Sequence, residues 1–150
     1  MAPSTSDPDR SYGYQSRATH RAFDRLLQQH LRQHGLTNGY WYVLRVLWEE
    51  EGMSQRELAR ASNLTESSAV IMLDGMQRAG LVARRKDPAD GRRQRVFLTA
   101  KAKRLKPKLL PVAGELNALA ASGIAAEDLA TYLAVAHRMR ANLVAALETG

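Results

Sequence analysis

The 150-residue chain contains no cysteine. Disulfides, thiolate zinc sites and cysteine-based redox switches are therefore excluded. No run of 18 or more apolar residues occurs, so no transmembrane helix is expected. The opening MAPSTSDPDR has two prolines, small polar residues and no apolar core. It does not read as a secretory signal but as a disordered arm over residues 1–10, and the expected location is the cytoplasm. Aromatic residues make up only 6% of the chain. Nucleophile elbows, phosphate loops and HExxH signatures are missing, which argues against an enzyme. His30 and His34 lie four apart without a third ligand in reach, so no metal and no cofactor is expected.

What the chain does have is positive charge in one place. The net charge is +7, but residues 84–108 alone carry eleven lysines and arginines against Asp87 and Asp90. That is a local excess of nine, which leaves the rest of the chain slightly acidic. A basic block on a near-neutral body is the electrostatic footprint of a polyanion binder. The hydrophobic content of 45% and the length fit one soluble domain with a real core.

The pattern predicts six helices and a hairpin. The first helix spans about Ser11 to His34, with a stripe of Tyr14, Ala18, Ala22 and Leu26. The second runs from about Asn38 to Glu51 and is apolar on most of its circumference, through Tyr40, Trp41, Val43, Leu44, Leu47 and Trp48. Ser54 and Glu57 form a capping box opening a short helix to about Ala61. Thr65 caps the next, from about Glu66 to Ala79, with Ala69, Met72, Leu73 and Met76 inward and Ser67, Ile71, Asp74 and Arg78 outward. Two strands, Leu81–Arg85 and Arg92–Leu98, flank the turn Asp87-Pro88-Ala89-Asp90-Gly91. A fifth helix, about Ala100 to Ala120, is expected to kink at Pro107 and Pro111. A sixth runs from about Ala126 to Leu147 with Leu129, Leu133, Ala136, Leu143 and Leu147 on one side. The fold class is mainly α (α+β), a winged helix-turn-helix over residues 37–99. Helices over 11–36 and 100–150 are expected to form a dimerisation region, their apolar stripes paired with a second copy; the alternative is that they pack only on their own chain.

Within this scheme Ser67, Ser68, Val70 and Ile71 face the major groove, with Thr65 at the head of the helix. Hydroxyls bond either base type or phosphate, and Val70 or Ile71 can meet a thymine methyl. Gln55 and Arg56 open the preceding helix, where they hold phosphates and fix register. Arg84, Arg85, Arg92, Arg93 and Arg95 form a basic wing suited to a narrow minor groove. Which of them enters the groove is left open. Arg17 and His20, three apart on the first helix, with Tyr40 and Trp41 on the second, could hold an anionic aromatic ligand; the alternative is that the rings are core.

The segments GLT (35–37), SQRELAR (54–60), MQRAGLV (76–82) and DGRRQRVFLT (90–99) together resemble the MarR family of bacterial transcriptional regulators. The match is closest at Asp90, Arg92, Val96, Leu98 and Thr99, and the likeness spans roughly residues 12–147. The resemblance implies a homodimer with interleaved terminal helices, each winged helix reading half of a pseudo-palindromic double-stranded DNA operator. It implies a repressor released by a small, often aromatic anionic ligand, and an ion pair from Asp90 to a wing arginine. Two positions depart from the family pattern. Many relatives have a basic residue where this chain has Ile71, and an arginine where it has Gly91. Readout by hydroxyls and apolar contacts then replaces arginine forks. An architectural DNA binder and a winged-helix protein-interaction module are the alternatives.

Overall fold

A computed structural model of the chain describes residues 7–150. It divides into two compact units, the first ending at Leu116 and the second comprising Asn117–Gly150. Of the expected arm, residues 1–6 lie outside the described residues. Pro8–Arg10 form a single 3-10 turn, because Asp7 accepts the Asp9 N–H and proline presets the first position.

Helix α1 (Tyr12–Arg32) starts where the Ser11 hydroxyl accepts the Tyr14 N–H, and stops at Gly35, whose φ of +66° only glycine adopts without strain. Helix α2 (Asn38–Glu49) is capped by Thr37. It ends two residues before the expected Glu51, whose carboxylate instead accepts the Leu98 N–H at 2.8 Å. Met53–Ser54 (β1) then runs into α3 (Gln55–Ala61), which opens with the expected capping box, both bonds present. Helix α4 (Glu66–Arg78) follows a turn with Asn63 at φ +58° and is capped by Thr65. Ala69, Leu73 and Met76 of α4 are buried and Met72 half-buried, as its period dictates.

The expected hairpin is a three-stranded antiparallel sheet in the order β1-β3-β2, with β2 at Val82–Lys86 and β3 at Gln94–Leu98. Arg84 lies opposite Val96 on β2 and Met53 opposite Val96 on β1. A two-residue strand is too short to show alternation, which is why β1 escapes a periodicity reading. Arg92 and Arg93 fall outside the ladder, in the wing tip.

Helix α5 (Ala100–Ala120) continues unbroken through both prolines, and Leu109, Val112 and Leu116 bury one side of it. Thr99 caps it through the Ala102 N–H while donating to the Gly80 carbonyl. Two lysines of the basic block serve helix ends. Lys101 donates to Ala79 O at the end of α4, and Lys106 to Trp48 O in the last turn of α2. The core of the first unit joins Leu31, Trp41, Leu44, Leu58, Leu73, Met76 and Val96. In the second unit, helix α6 (Ala126–Glu148) has no buried residue, and Leu133, Leu143 and Leu147 are exposed. Among the described residues no helix is long and apolar enough to cross a membrane.

Candidate nucleic-acid interface

The N-terminal end of α3, the outer face of α4 and the wing tip enclose an open groove of about 510 Å³. Gln55, Arg56, Arg60, Val70, Arg92 and Arg93 line it, with Glu57 and Glu66 the acidic members. Arg56 reaches Glu66 at 3.2 Å with both side chains exposed. Such a surface pair contributes roughly 0–1 kcal/mol, so Glu66 holds Arg56 only weakly. Thr65 is occupied as a cap, and its hydroxyl also contacts those of Ser67 and Ser68, at 3.3 and 2.8 Å. Ser67, Ser68 and Ile71 are exposed, and Val70 sits at the groove wall.

The five wing arginines divide into three roles. Arg84 is half-buried and three-way bonded. Its guanidinium donates to Gln77 Oε1 at 2.8 Å, to Gln55 Oε1 at 3.1 Å and to Asp74 Oδ1. It thereby ties β2 to the head of α3 and to the middle of α4, and is spent on structure. Gln55, expected on phosphate, is drawn into the same clamp.

Arg95 donates to Asp87 Oδ2 and to Gly52 O, each at 2.9 Å, fixing the wing to the loop before β1. The short ion pair of the wing is thus Asp87–Arg95, and the expected pair from Asp90 is the looser one to Arg93. Asp87, just past the end of β2, reaches Arg95 diagonally across the hairpin, whereas Asp90 lies at the tip. Asp90 instead shapes the turn, accepting the Arg92 N–H at 3.0 Å and lying 3.7 Å from Arg93 Nε. Arg85 stacks over the Phe97 ring at 4.8 Å. Arg92 has no ion-pair partner among the described residues, and Arg93 only that loose contact.

Asp87 is only 7% exposed. The Ala89 N–H, outweighing the opposing effect of burial and joined by Arg95, holds its carboxyl below the usual carboxylate range. A lowered folded-state pKa gives stability that is full above the ordinary value near 3.8 and is lost as pH falls through the lowered one. Asp87→Asn is therefore expected to lower the melting temperature at neutral pH and to flatten its fall below pH 3.8, a difference that thermal melts along a pH series would read.

The four residues expected to hold a ligand are not gathered into one cavity. Trp41 is 2% exposed and packs edge-on to Trp48 at 5.8 Å between ring centres, so it is core. Neighbours on a helix diverge by about 100°, and with Trp41 inward Tyr40 must point elsewhere. Its hydroxyl lies against Gly75 of α4, a close approach that the mid-helix glycine signals. Arg17 is exposed, while His20 Nε2 meets Asp24 Oδ2 at 3.1 Å. Sequence reasoning missed two partners here. Tyr42 donates to Asp24 Oδ1 at 2.7 Å, and burial followed by Asp24 pushes its phenol up to about 12. Asn38 donates to the Asp24 carbonyl at 2.9 Å. Among the described residues no group of three or more His, Asp or Glu could hold a metal ion.

A sequence model of the MarR family matches residues 34–93. The HTH-type transcriptional regulator TtmR of Methylorubrum extorquens is 37% identical over 92 residues, 61% of this chain and 47% of that one. The chain thus spans about half the length of that relative. The structure of the transcriptional regulator PA3341 superposes with a TM-score of 0.78 at 30% identity, covering 89% of this chain and 98% of that one. The S. aureus MepR–DNA complex gives a TM-score of 0.81 at 22% identity over 91% of this chain and 99% of that one, a likeness of fold.

Proposed function

Because the chain belongs to the MarR family of transcriptional regulators, DNA-binding proteins rather than enzymes, we propose that it is a homodimeric, sequence-specific repressor working in the cytoplasm. In this reading each wing grips the backbone through Arg92 and Arg93, and each α4 enters a major groove of a pseudo-palindromic operator. The observation that carries it is the division of the wing. Arg84 and Arg95 are consumed in holding α3, α4 and the sheet together, while Arg92 and Arg93 face Arg56 and Arg60 across an open groove.

Helix α6 supports the dimer. Most helical stability in proteins comes from packing of an apolar face, and a second copy across a two-fold axis would cover Leu133, Leu143 and Leu147, which α6 leaves exposed. Leu133→Glu with Leu143→Glu is expected to give a monomer that binds DNA much more weakly. Sedimentation would report it, and an unchanged dimer would rule α6 out as the interface.

Release by a small anionic ligand belongs to the same proposal, with Arg17 and His20 as its first contacts on the exposed side of α1. Tyr40 and Trp41 would then act as packing behind the site. Aromatic acids titrated against the protein–DNA complex test this part; no binding and no release would discard it.

A second reading, a sequence-indifferent architectural binder, draws on one observation: the outer face of α4 at Ser67, Val70 and Ile71 carries no cation. Gel shifts on the DNA upstream of its own coding sequence and on bulk DNA separate the two. The repressor requires the first to bind at least about 10³-fold more tightly. Equal affinities would favour the architectural reading.

A further inference from the structure

Ile71 is 73% exposed on the outer face of α4, and Val70 beside it is 41% exposed. A β-branched aliphatic residue turned to water in the middle of a helix contributes little to folding and has poorer helix propensity than alanine. Its neighbours on that face leave it as the reading element. Asp74 is held by Arg84, Thr65 is a cap, and Ser67 and Ser68 share contacts with the Thr65 hydroxyl. The surrounding charge identifies the occupant. Arg56, Arg60, Arg92 and Arg93 share a groove with Val70, so the partner facing this helix is a polyanion.

We propose that Ile71, with Val70 at its flank, sets the base preference of this protein by packing on the C5-methyl group of thymine in each half-site. The inference rests on the reading of α4 as the helix that enters the major groove. There every base pair shows its own pattern, and the thymine methyl is the one apolar feature that a hydrocarbon side chain can recognise. An adenine, guanine or cytosine edge at that position would present polar atoms to the isoleucine and leave them without partners. Serines at positions 67 and 68 bond donors and acceptors alike, so they add affinity with little discrimination.

The test removes one methyl group at a time. Enrichment of bound sequences from a random duplex pool yields the preferred site. Each thymine in it is then replaced by deoxyuridine, which keeps the base pair and deletes the methyl. Affinities are measured for the native chain and for Ile71→Ala, which sits on the surface and gains helix propensity. Burying one methyl corresponds to about a fourfold change in affinity, so replacing the contacted thymine in both half-sites is expected to cost the native dimer about 15-fold. Ile71→Ala should bind both DNAs alike. Ile71→Arg is expected to move the preference at that position from thymine to guanine, whose O6 and N7 accept a guanidinium fork. A preferred site in which no thymine responds to methyl removal, or in which Ile71→Ala responds as strongly as the native chain, overturns the inference and leaves the repressor reading standing. A pool from which no site is enriched overturns both.

Discussion

Replacing Arg92 and Arg93 by alanine together is expected to weaken DNA binding on the order of a hundredfold or more at about 0.1 M salt while leaving the melting temperature unchanged. A dimer loses four guanidinium groups in this variant, and each phosphate contact contributes about 0.9 to the slope of log K against log salt. Neither residue takes part in the sheet ladder, and among the described residues the only ion-pair contact of the two is Arg93 to Asp90 at 3.7 Å, so the fold loses almost nothing. Neutralising Arg84 should give the opposite signature. Arg84→Met strands Asp74, Gln77 and Gln55, which all accept from one guanidinium. Hydrogen bonds to charged groups contribute about 1.5–3 kcal/mol each at most, and the partners here are partly solvated. A drop of roughly 5 °C in melting temperature follows for a chain of this size. Fluorescence anisotropy with labelled DNA and a thermal melt on the same samples separate the two classes. Full affinity in the Arg92/Arg93 variant would remove the wing tip from the interface.

The second large effect concerns Trp41, which the sequence offers either as a ligand contact or as core. Its ring is enclosed by the core of the first unit, edge-on to Trp48, with the Arg45 guanidinium 5.9 Å from its centre. Trp41→Ala should cost about 3–5 kcal/mol, because the cavity it leaves adds to the lost transfer energy. That is a large share of the roughly 5–15 kcal/mol a domain has in total. Trp48 loses its aromatic partner as well, and its indole N–H donates to Ala102 O at 3.1 Å, so the damage reaches the start of α5. Urea unfolding should show a lower midpoint at an unchanged slope. An unshifted midpoint would mean that Trp41 lines an open cavity after all.

What was legible in the sequence was local chemistry. Ser54 with Glu57, Thr65, Thr99 and the glycines at 35 and 80 act within one turn of chain, and each element begins or ends where they put it. The apolar face of α4 followed from a single period. The division of the wing arginines was not legible, because five residues of one type in one hairpin have indistinguishable local sequence contexts. Their roles are set by partners at a distance: Asp74 and Gln77 from α4, Gln55 from α3, Asp87 across the hairpin, Gly52 from the preceding loop. The fate of Trp41 was hidden for a related reason. Tyr40, Trp41 and Val43 are all apolar, and only the packing of α2 decides which ring turns inward. Strand β1 was hidden by its length, two residues that pair only because β3 passes beside them.

The proposed function has DNA held through a small set of exposed arginines presented by the winged helix. Its most direct test is the salt dependence of affinity for the DNA upstream of its own coding sequence. Arg56, Arg60, Arg92 and Arg93 on two protomers give eight contacts, so log K should fall against log salt with a slope of about −7. A slope shallower than about −2 would contradict the account, since that few phosphate contacts could not engage both wings.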